Sequence, residues 1–341
     1  MKKQLYIAYT GGTIGMRKGP NGYMPAPGYL AELMAAMPEL THEQLPDYTI
    51  NEYRPLLDSA NMTPRDWLTI AQDIAAHHDN YDGFVVLHGT DTMAYTASAL
   101  PFMLQNLSKP VILTGSQIPL CEVRNDAREN LITAMMIAAS YAIPEVCLYF
   151  GAKLLRGCRA TKVSADDFDA FASPNCPPLG TVGIDIEINW DLVLPQPASS
   201  KPVAINAGGE PVVGAVRLFP GISADVVRNI LQPPLKGLVL EAFGVGNGPD
   251  RDQAFIATLQ EATDRGVLIV DCTQCLVGSV NLGGYATGSA LAQAGVISGY
   301  DMTAEAALTK MFHLFSQALP LPDIKRLMQT NLRGELTPAG S

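Results

Sequence analysis

Short apolar segments alternate with helical stretches along this sequence of 341 residues. Parallel neighbours in a sheet need a crossover connection, and a helix of about 10 to 15 residues supplies one. We therefore predict an α/β fold. The predicted strands are 5–8, 84–87, 111–113, 146–150, 214–218, 238–242 and 267–270, and the predicted helices are 64–77, 93–104, 126–140, 223–231, 253–264, 304–317 and 322–329.

A stretch rich in proline, glycine and serine divides the sequence between residues 195 and 211. Such segments connect domains. With a hydrophobic content of 48%, the chain can bury two ordinary cores. We predict a larger N-terminal α/β domain over 1–194 with a mixed or parallel sheet, a linker over 195–211, and a smaller, Rossmann-like α/β domain over 212–341.

Charge and hydropathy exclude several classes of protein. The formal net charge is -10 and the Lys and Arg residues are dispersed, which disfavours nucleic-acid binding. No apolar run approaches the roughly 20 residues of a membrane helix. The residues 1–4 lead into a strand rather than into a signal peptide. We predict a cytoplasmic protein that binds neither membranes nor nucleic acids.

The cysteines and histidines do not predict a metal site. Six scattered cysteines do not form a disulfide framework, so we predict reduced thiols. Cys272 and Cys275 form a C-x-x-C motif, but no second pair or suitably spaced histidine completes a zinc site. We predict that this motif packs at a strand end. His77 and His78 are adjacent and point in different directions on a helix, so we predict a solvated helix end there.

Two glycine-flanked threonines follow predicted strands, in the segments 10–15 (TGGTIG) and 88–92 (HGTDT). Ligands of open α/β sheets bind at the carboxyl ends of strands, and glycines permit a close approach. Further polar loops are 58–59 (DS), 114–117 (TGSQ) and 244–248 (GVGNG). None has the pattern of a dinucleotide fingerprint or a P-loop, so we predict no cofactor.

Hydroxyl-rich loops favour acyl transfer on a small polar ligand. That chemistry needs a nucleophile, a proton acceptor and donors for the oxyanion. Thr13 or Thr90 is the candidate nucleophile. Lys162 is the candidate proton acceptor, with Asp91 to orient it. Each residue alone is more often structural, and only the combination supports the hypothesis.

The segments 10–14, 88–92 and 114–116, with the distant Lys162, resemble the signature of bacterial-type L-asparaginases. The similarity covers essentially the whole chain and is greatest to the cytoplasmic type I branch. It implies a two-domain fold and the hydrolysis of L-asparagine to L-aspartate and ammonia, without metal or cofactor.

The resemblance also implies roles for single residues. Thr13 corresponds to the primary nucleophile. Tyr23, in a lid rich in glycine and proline, closes over the substrate and helps to activate the Thr13 hydroxyl. Thr90, Lys162 and Asp91 correspond to a second relay. Either threonine is a candidate for acylation, and we predict Thr13. The implied substrate-binding residues are Asp58, Ser59, Thr90, Asp91, Ser116 and Asn247, the last from a neighbouring subunit.

Assembly and regulation follow from the same resemblance. It implies homodimers that assemble into a homotetramer. Some members are activated by substrate at a second site that contains an arginine, but this chain has Glu241 at that position. Because a carboxylate reverses the charge offered to a substrate carboxylate, we expect hyperbolic or weakly sigmoidal saturation, with Thr161 and Cys275 structural.

Three alternative functions remain. A glutamine-preferring amidase would need a pocket longer by one methylene, a distinction worth about 1 to 3 kcal/mol. A non-catalytic amino-acid sensor would not need the nucleophile and its relay. The amide-releasing subunit of a tRNA-dependent amidotransferase would need a partner-binding extension, so we rank it last.

Overall fold

The computed structural model describes residues 2–20, 22–198, 203–205, 209–284 and 286–338. The chain divides into two compact units, Met1–Ile205 and Asn206–Ser341. Of the predicted linker 195–211, residues 199–202 and 206–208 lie outside the described residues. The short strand Ala204–Ile205 within that segment pairs with Leu104–Gln105, which places it in the first unit.

The first unit alternates strands and helices. Its strands are β1 (Gln4–Gly11), β2 (Met16–Gly19), β3 (Gly22–Pro25), β4 (Asp47–Leu57), β5 (Gly83–Leu87), β6 (Leu104–Gln105), β7 (Val111–Thr114), β8 (Val146–Phe150), β9 (Lys153–Arg156), β10 (Thr161–Lys162), β11 (Phe171–Ala172), β12 (Gly180–Val182), β13 (Ile186–Ile188) and β14 (Ala204–Ile205). Its α-helices are α1 (Tyr29–Ala35), α2 (Pro64–His77), α3 (Met93–Met103) and α4 (Ala127–Ser140).

The main sheet of this unit is mixed, with the strand order β13-β12-β9-β8-β7-β5-β1-β4. The strands from β8 to β4 in this order are parallel, whereas β9, β12 and β13 are antiparallel to their neighbours. Alternate side chains of β1 enter different cores. Tyr6 and Ala8 pack with α2 and α3, whereas Leu5, Ile7 and Tyr9 pack with α1 and α4. Helices therefore cover both faces of the sheet, and the predicted α/β class is confirmed.

Local sequence signals explain where α2 begins. Thr63 and Asp66 form a capping box, in which the Asp66 carboxylate accepts the Thr63 backbone N–H at 2.7 Å. Pro64 occupies the first helical position, where a missing N–H has no consequence. The predicted start of this helix is confirmed.

The second unit contains a parallel sheet covered by helices on both faces. Its strands pair in the order β15-β16-β17-β18. Leu238, Leu240 and Ala242 of β16 face one core, and Val239 faces the other. The elements are β15 (Val213–Arg217), α5 (Ala224–Ile230), β16 (Gly237–Ala242), α6 (Gln253–Asp264), β17 (Leu268–Thr273), α7 (Ala286–Gln293), β18 (Ile297–Ser298), α8 (Ala304–Ser316) and α9 (Leu321–Met328).

Two predictions about single residues need correction. His78 is buried rather than solvated, because its ring stacks on Phe84 with a centroid distance of 6.2 Å. Burial lowers the pKa of His78. Cys272 is buried in β17, as predicted for strand-end packing, but Cys275 is exposed, so the packing prediction is wrong for that thiol.

Candidate active site

The carboxyl ends of four parallel strands place the predicted loops at one edge of the first sheet. Tyr9 of β1 pairs with Leu87 of β5, Leu87 pairs with Thr114 of β7, and Gly11 pairs with Leu57 of β4. The loops that follow these strands contain, respectively, Thr13, Thr90–Asp91, Ser116 and Asp58–Ser59. The structure thus brings together residues from four separate segments of the sequence.

Gly12 and Gly89 join two of these loops in direct backbone contact. A Cβ atom on Gly12 would lie 2.4 Å from the backbone nitrogen of Gly89, which is closer than real Cβ contacts. Gly12 also has a φ of 89°, a conformation that favours glycine. The residues that follow these glycines are Thr13 and Thr90. The tight contact therefore brings the starts of the two threonine loops together.

Lys162 connects Thr90 and Asp91. Its Nζ atom donates to the Thr90 hydroxyl at 2.9 Å and to Oδ1 of Asp91 at 2.7 Å. Thr90 is buried, the Lys162 side chain is mostly buried, and 64% of the Asp91 side chain is exposed. The carboxylate offsets the charge of the lysine while water still reaches Asp91. The predicted group of Thr90, Asp91 and Lys162 is assembled by hydrogen bonds.

The Thr90 hydroxyl has a second partner, Gln117. The hydroxyl donates to Oε1 of Gln117 at 3.0 Å. Gln117 lies in the polar loop 114–117, directly after Ser116, and the sequence gives no other signal of its contact with Thr90.

Thr13 starts a short 3-10 turn, Thr13–Gly15, and is partly exposed. Within the part of the chain that the structure describes, its hydroxyl makes no hydrogen bond. The Tyr23 hydroxyl, on the β2–β3 hairpin, donates to Oε1 of Glu122 at 2.6 Å rather than to Thr13. That carboxylate raises the pKa of Tyr23. Tyr23 and Glu122 are far apart in sequence, and no sequence signal indicated the contact.

The predicted substrate-binding residues differ in exposure. Asp58 is exposed and caps the turn Ser59–Asn61 by accepting the Ala60 N–H at 3.1 Å. Ser59 is buried, and its carbonyl accepts the Thr92 hydroxyl at 2.7 Å. The buried Ser116 hydroxyl has no hydrogen-bond partner among the described residues. A polar ligand at this edge of the sheet would supply the missing partner.

His88 lies below the loop 88–92 and is buried. Its Nδ1 donates to the Gly89 carbonyl at 2.7 Å, and its Nε2 accepts the Thr96 hydroxyl at 2.9 Å. Burial lowers the pKa of His88 to about 4. The ring is therefore neutral at pH 7, and it fixes the backbone that carries Thr90.

The second unit contains Asn247 and Glu241. Asn247 lies in a tight turn after β16, where its backbone pairs with Phe243 and its side-chain oxygen accepts the Thr287 hydroxyl at 2.6 Å. Glu241 in β16 lies 3.6 Å from a guanidinium nitrogen of Arg217. Glu241 thus offers a carboxylate that already has a cationic neighbour within its own unit.

Over the described ranges, no group of three or more His, Cys, Asp or Glu side chains is placed to hold a metal ion. None of the described helices has the length and apolar content needed to cross a membrane.

Comparisons with known proteins agree with the resemblance in the sequence. Residues 4–194 match the family model "Asparaginase, N-terminal", and residues 212–328 match "Glutaminase/Asparaginase C-terminal domain". L-asparaginase 1 of Escherichia coli (strain K12) is 56% identical over 99% of both chains. The 60 kDa lysophospholipase of Mus musculus is 47% identical over 98% of this chain and 63% of its own length.

A solved structure shows the same fold. The crystal structure of L-asparaginase I from Vibrio cholerae O1 biovar eltor superposes with a TM-score of 0.91 at 51% identity, covering 99% of this chain and 100% of the other. Both halves of the sequence, the fold and the full-length relatives therefore agree, and this chain belongs to the asparaginase family.

Proposed function

We propose that this protein hydrolyses L-asparagine to L-aspartate and ammonia through an acyl-threonine intermediate. The observation that carries the proposal is the hydrogen-bonded group of Lys162, Thr90 and Asp91. It lies at the same sheet edge as Thr13, whose hydroxyl is unbonded among the described residues. The names of full-length relatives support asparagine as the substrate.

In the first step, Thr13 is the nucleophile. Its oxygen attacks the side-chain carbonyl carbon of asparagine, the carbon–nitrogen bond breaks, and the hydroxyl proton leaves with the amine as ammonia. Threonine is a weak nucleophile, so the step needs a group that takes its proton. When the lid closes, the Tyr23 hydroxyl accepts this proton as it passes its own to the departing nitrogen, and Tyr23 ends the step neutral. Backbone N–H groups near Thr90 and Ser116 stabilise the oxyanion, a contribution of about 3 kcal/mol per donor.

In the second step, water hydrolyses the ester. The Thr90 hydroxyl and Lys162 orient the water, and Asp91 offsets the charge of the lysine. The carbon–oxygen bond to Thr13 breaks, the threonine recovers its proton, and L-aspartate leaves. No metal or cofactor enters either step.

The ends of the substrate determine the remaining roles. The carboxylates of Asp58 and Asp91 bind the α-ammonium group, and the hydroxyls of Ser59 and Ser116 bind the α-carboxylate. Ser116 is suited to this role because its buried hydroxyl has no partner among the described residues. Thr90 contacts the substrate beside its role in the relay.

The alternatives share part of this site. A glutamine-preferring amidase would use the same residues with a longer pocket. A non-catalytic sensor would bind amino acids without releasing ammonia. The relay of Thr90, Lys162 and Asp91 favours the enzyme, because binding alone does not need a lysine on a threonine hydroxyl.

The first test is ammonia release from L-asparagine and, separately, L-glutamine, for the wild type, Thr13→Ala and Thr90→Val. We expect release from asparagine that a chelator does not reduce, and a loss of kcat of more than about 100-fold in both variants. Thr181→Val, at an exposed strand position, is the control and should keep full activity. Binding of asparagine without ammonia release would support the sensor and contradict the proposal.

Two further features belong to the same proposal. The protein works in the cytoplasm as a homodimer that assembles into a homotetramer, and Asn247 of each subunit completes the site of its neighbour. The resemblance of the sequence to this family is the basis for proposing this assembly. Sedimentation of the purified protein tests it, and a monomer at enzymatic concentrations would contradict it.

A further inference from the structure

The side chain of Gln117 joins two segments of the candidate site. Its Oε1 accepts the Thr90 hydroxyl at 3.0 Å, and its Nε2 donates to the backbone carbonyls of Ala165 and Asp167, each at 3.2 Å. We propose that Gln117 is a positioning residue that sets the orientation of the Thr90 hydroxyl and ties the segment 163–168 to the Thr90 loop. The catalytic part of this proposal rests on the proposed function.

The neighbours of Gln117 fix which end of its amide faces Thr90. Carbonyl oxygens accept hydrogen bonds and cannot donate them, so the two carbonyls require the NH₂ group. The oxygen of the amide must then face Thr90. Because a side-chain amide can otherwise turn over, this network selects one of its two orientations.

The orientation of the amide determines the orientation of the hydroxyl. A threonine hydroxyl has one hydrogen to donate. When that hydrogen points to Oε1 of Gln117, the lone pairs of the Thr90 oxygen face Lys162, whose Nζ donates to this oxygen at 2.9 Å. Gln117 therefore holds Thr90 as an acceptor toward the lysine, the arrangement that keeps Lys162 beside both Thr90 and Asp91.

The backbone of Gln117 is itself firmly held. The Asp126 carboxylate accepts the N–H of Gln117 at 2.9 Å and that of Ile118 at 3.0 Å. Asn130 donates to the same carboxylate at 3.3 Å and to the Gly115 carbonyl at 3.0 Å. Asp126 and Asn130 are buried at the start of α4. The loop that carries Gln117 is thus anchored to a helix in the core, which gives the amide a fixed base.

Side-chain contacts connect the segment 163–168 to the loop that carries Gln117. Most of its residues are exposed. A cavity of about 270 Å³ lies between it and the loop, lined by Gln117, Ile118, Arg124, Ala165, Asp166, Asp167 and Phe168. Beside this open space, two contacts connect the segments: the hydrogen bonds from Gln117, and the Arg124 guanidinium, which lies 4.9 Å from the centre of the Phe168 ring. The segment begins directly after Lys162, so the connection also restrains the lysine.

Kinetics of Gln117→Met and Gln117→Glu test the proposal. Gln117→Met removes both ends of the bridge, and we expect a loss of kcat of about 10- to 100-fold with KM for asparagine changed by less than about threefold. Gln117→Glu keeps an acceptor for Thr90, but its second oxygen faces the carbonyls of Ala165 and Asp167, to which it cannot donate. Its kcat should therefore lie between those of the wild type and Gln117→Met. Gln329→Met, at a half-buried glutamine of the second unit, is the control, and its kcat and KM should equal those of the wild type.

The proposal would be overturned if the kcat of Gln117→Met were within twofold of that of the wild type, or if only its KM for asparagine changed. If Gln117→Met does not fold, the same criteria apply to Gln117→Glu, which keeps the shape of the side chain. Either result is read against the Gln329→Met control.

A double-mutant cycle separates this proposal from the proposed function. The melting temperatures of the wild type, Thr90→Val, Gln117→Met and the double variant do not depend on turnover. If the Thr90 hydroxyl and the Gln117 amide interact, the melting temperature of the double variant falls by less than the sum of the falls in the two single variants. Additive falls would show that the two groups do not interact and would overturn the proposal. A wild type that releases no ammonia would instead overturn the enzymatic function and leave the cycle interpretable.

Discussion

Asp271 in β17 is a buried carboxyl group without a hydrogen-bond partner among the described residues. Burial raises the pKa of Asp271 to about 8. An ordinary aspartate ionises near pH 4, so between these values the unfolded chain loses a proton that the folded chain keeps. This group therefore stabilises the fold most at low pH, and its contribution is lost as the pH rises through about 8.

We predict that Asp271→Asn reduces the loss of stability at high pH. The amide cannot ionise. In the wild type, by contrast, each rise of one pH unit between the two pKa values lowers the free energy of unfolding by up to about 1.4 kcal/mol. Urea unfolding at pH 5 and pH 9 measures the effect. The difference between the two free energies of unfolding should be smaller in Asp271→Asn than in the wild type, and unchanged in the exposed control Asp185→Asn. Equal differences in all three proteins would contradict the prediction.

Sequence alone identified the chemistry of single residues better than their contacts. Thr90, Asp91 and Lys162 were predicted together, partly from residue chemistry and partly from the family resemblance. Gln117 was not assigned, because nothing in a sequence states which hydroxyl an amide will meet. His78 was predicted at a solvated helix end but is buried. The prediction was wrong because the residue that covers the ring, Phe84, comes from the next strand.

The loops at the sheet edge have little room for added atoms. A Cβ atom on Gly89 would lie 2.5 Å from the hydroxyl oxygen of Ser59. We predict that Gly89→Ala displaces Ser59 and raises KM for asparagine by about tenfold or more, since a lost hydrogen bond to a charged group costs about 1.5 to 3 kcal/mol. Steady-state kinetics measure the change.

Gly183→Ala is the matched control for this prediction. No atom lies within 4 Å of a Cβ added at that position. Its KM should equal that of the wild type. A Gly89→Ala variant with an unchanged KM would show that Ser59 does not bind the substrate in the proposed manner.

Strands and helices with strong apolar patterns were predicted well. The strand Val146–Phe150 and the helix Gln253–Asp264 have the predicted bounds. The long strand β4 was missed, as were the antiparallel strands β9, β12 and β13. β4 lies at the end of the sheet order, and its residues are exposed or half-buried, so it lacks the apolar run of a central strand.

The saturation behaviour of the assembled protein follows from Glu241. Its carboxylate lies beside Arg217 and would repel a substrate carboxylate. We predict hyperbolic or only weakly sigmoidal curves, with a Hill coefficient of about 1. Initial rates over a wide range of asparagine concentration measure it. A Hill coefficient typical of a strongly cooperative tetramer would contradict the prediction.

Mixing two variants, each expected to lose activity, tests whether subunits share a site. Thr13→Ala lacks the proposed nucleophile, and Asn247→Ala lacks the residue proposed to reach the neighbouring subunit. If the two act in one site across an interface, subunit exchange creates some sites with both residues intact. We predict that refolding the variants together restores part of the activity. No gain over the separately refolded variants would place Asn247 outside the neighbour's site.

The backbone contact between Gly12 and Gly89 also limits how this enzyme can be redesigned. A methyl group on Gly12 would overlap the backbone of Gly89. Neither loop can therefore be exchanged alone for a loop of different shape, even when the new loop carries the wanted side chains. A library of variants that aims at a new amide substrate should therefore change the segments 10–15 and 88–92 in the same variant.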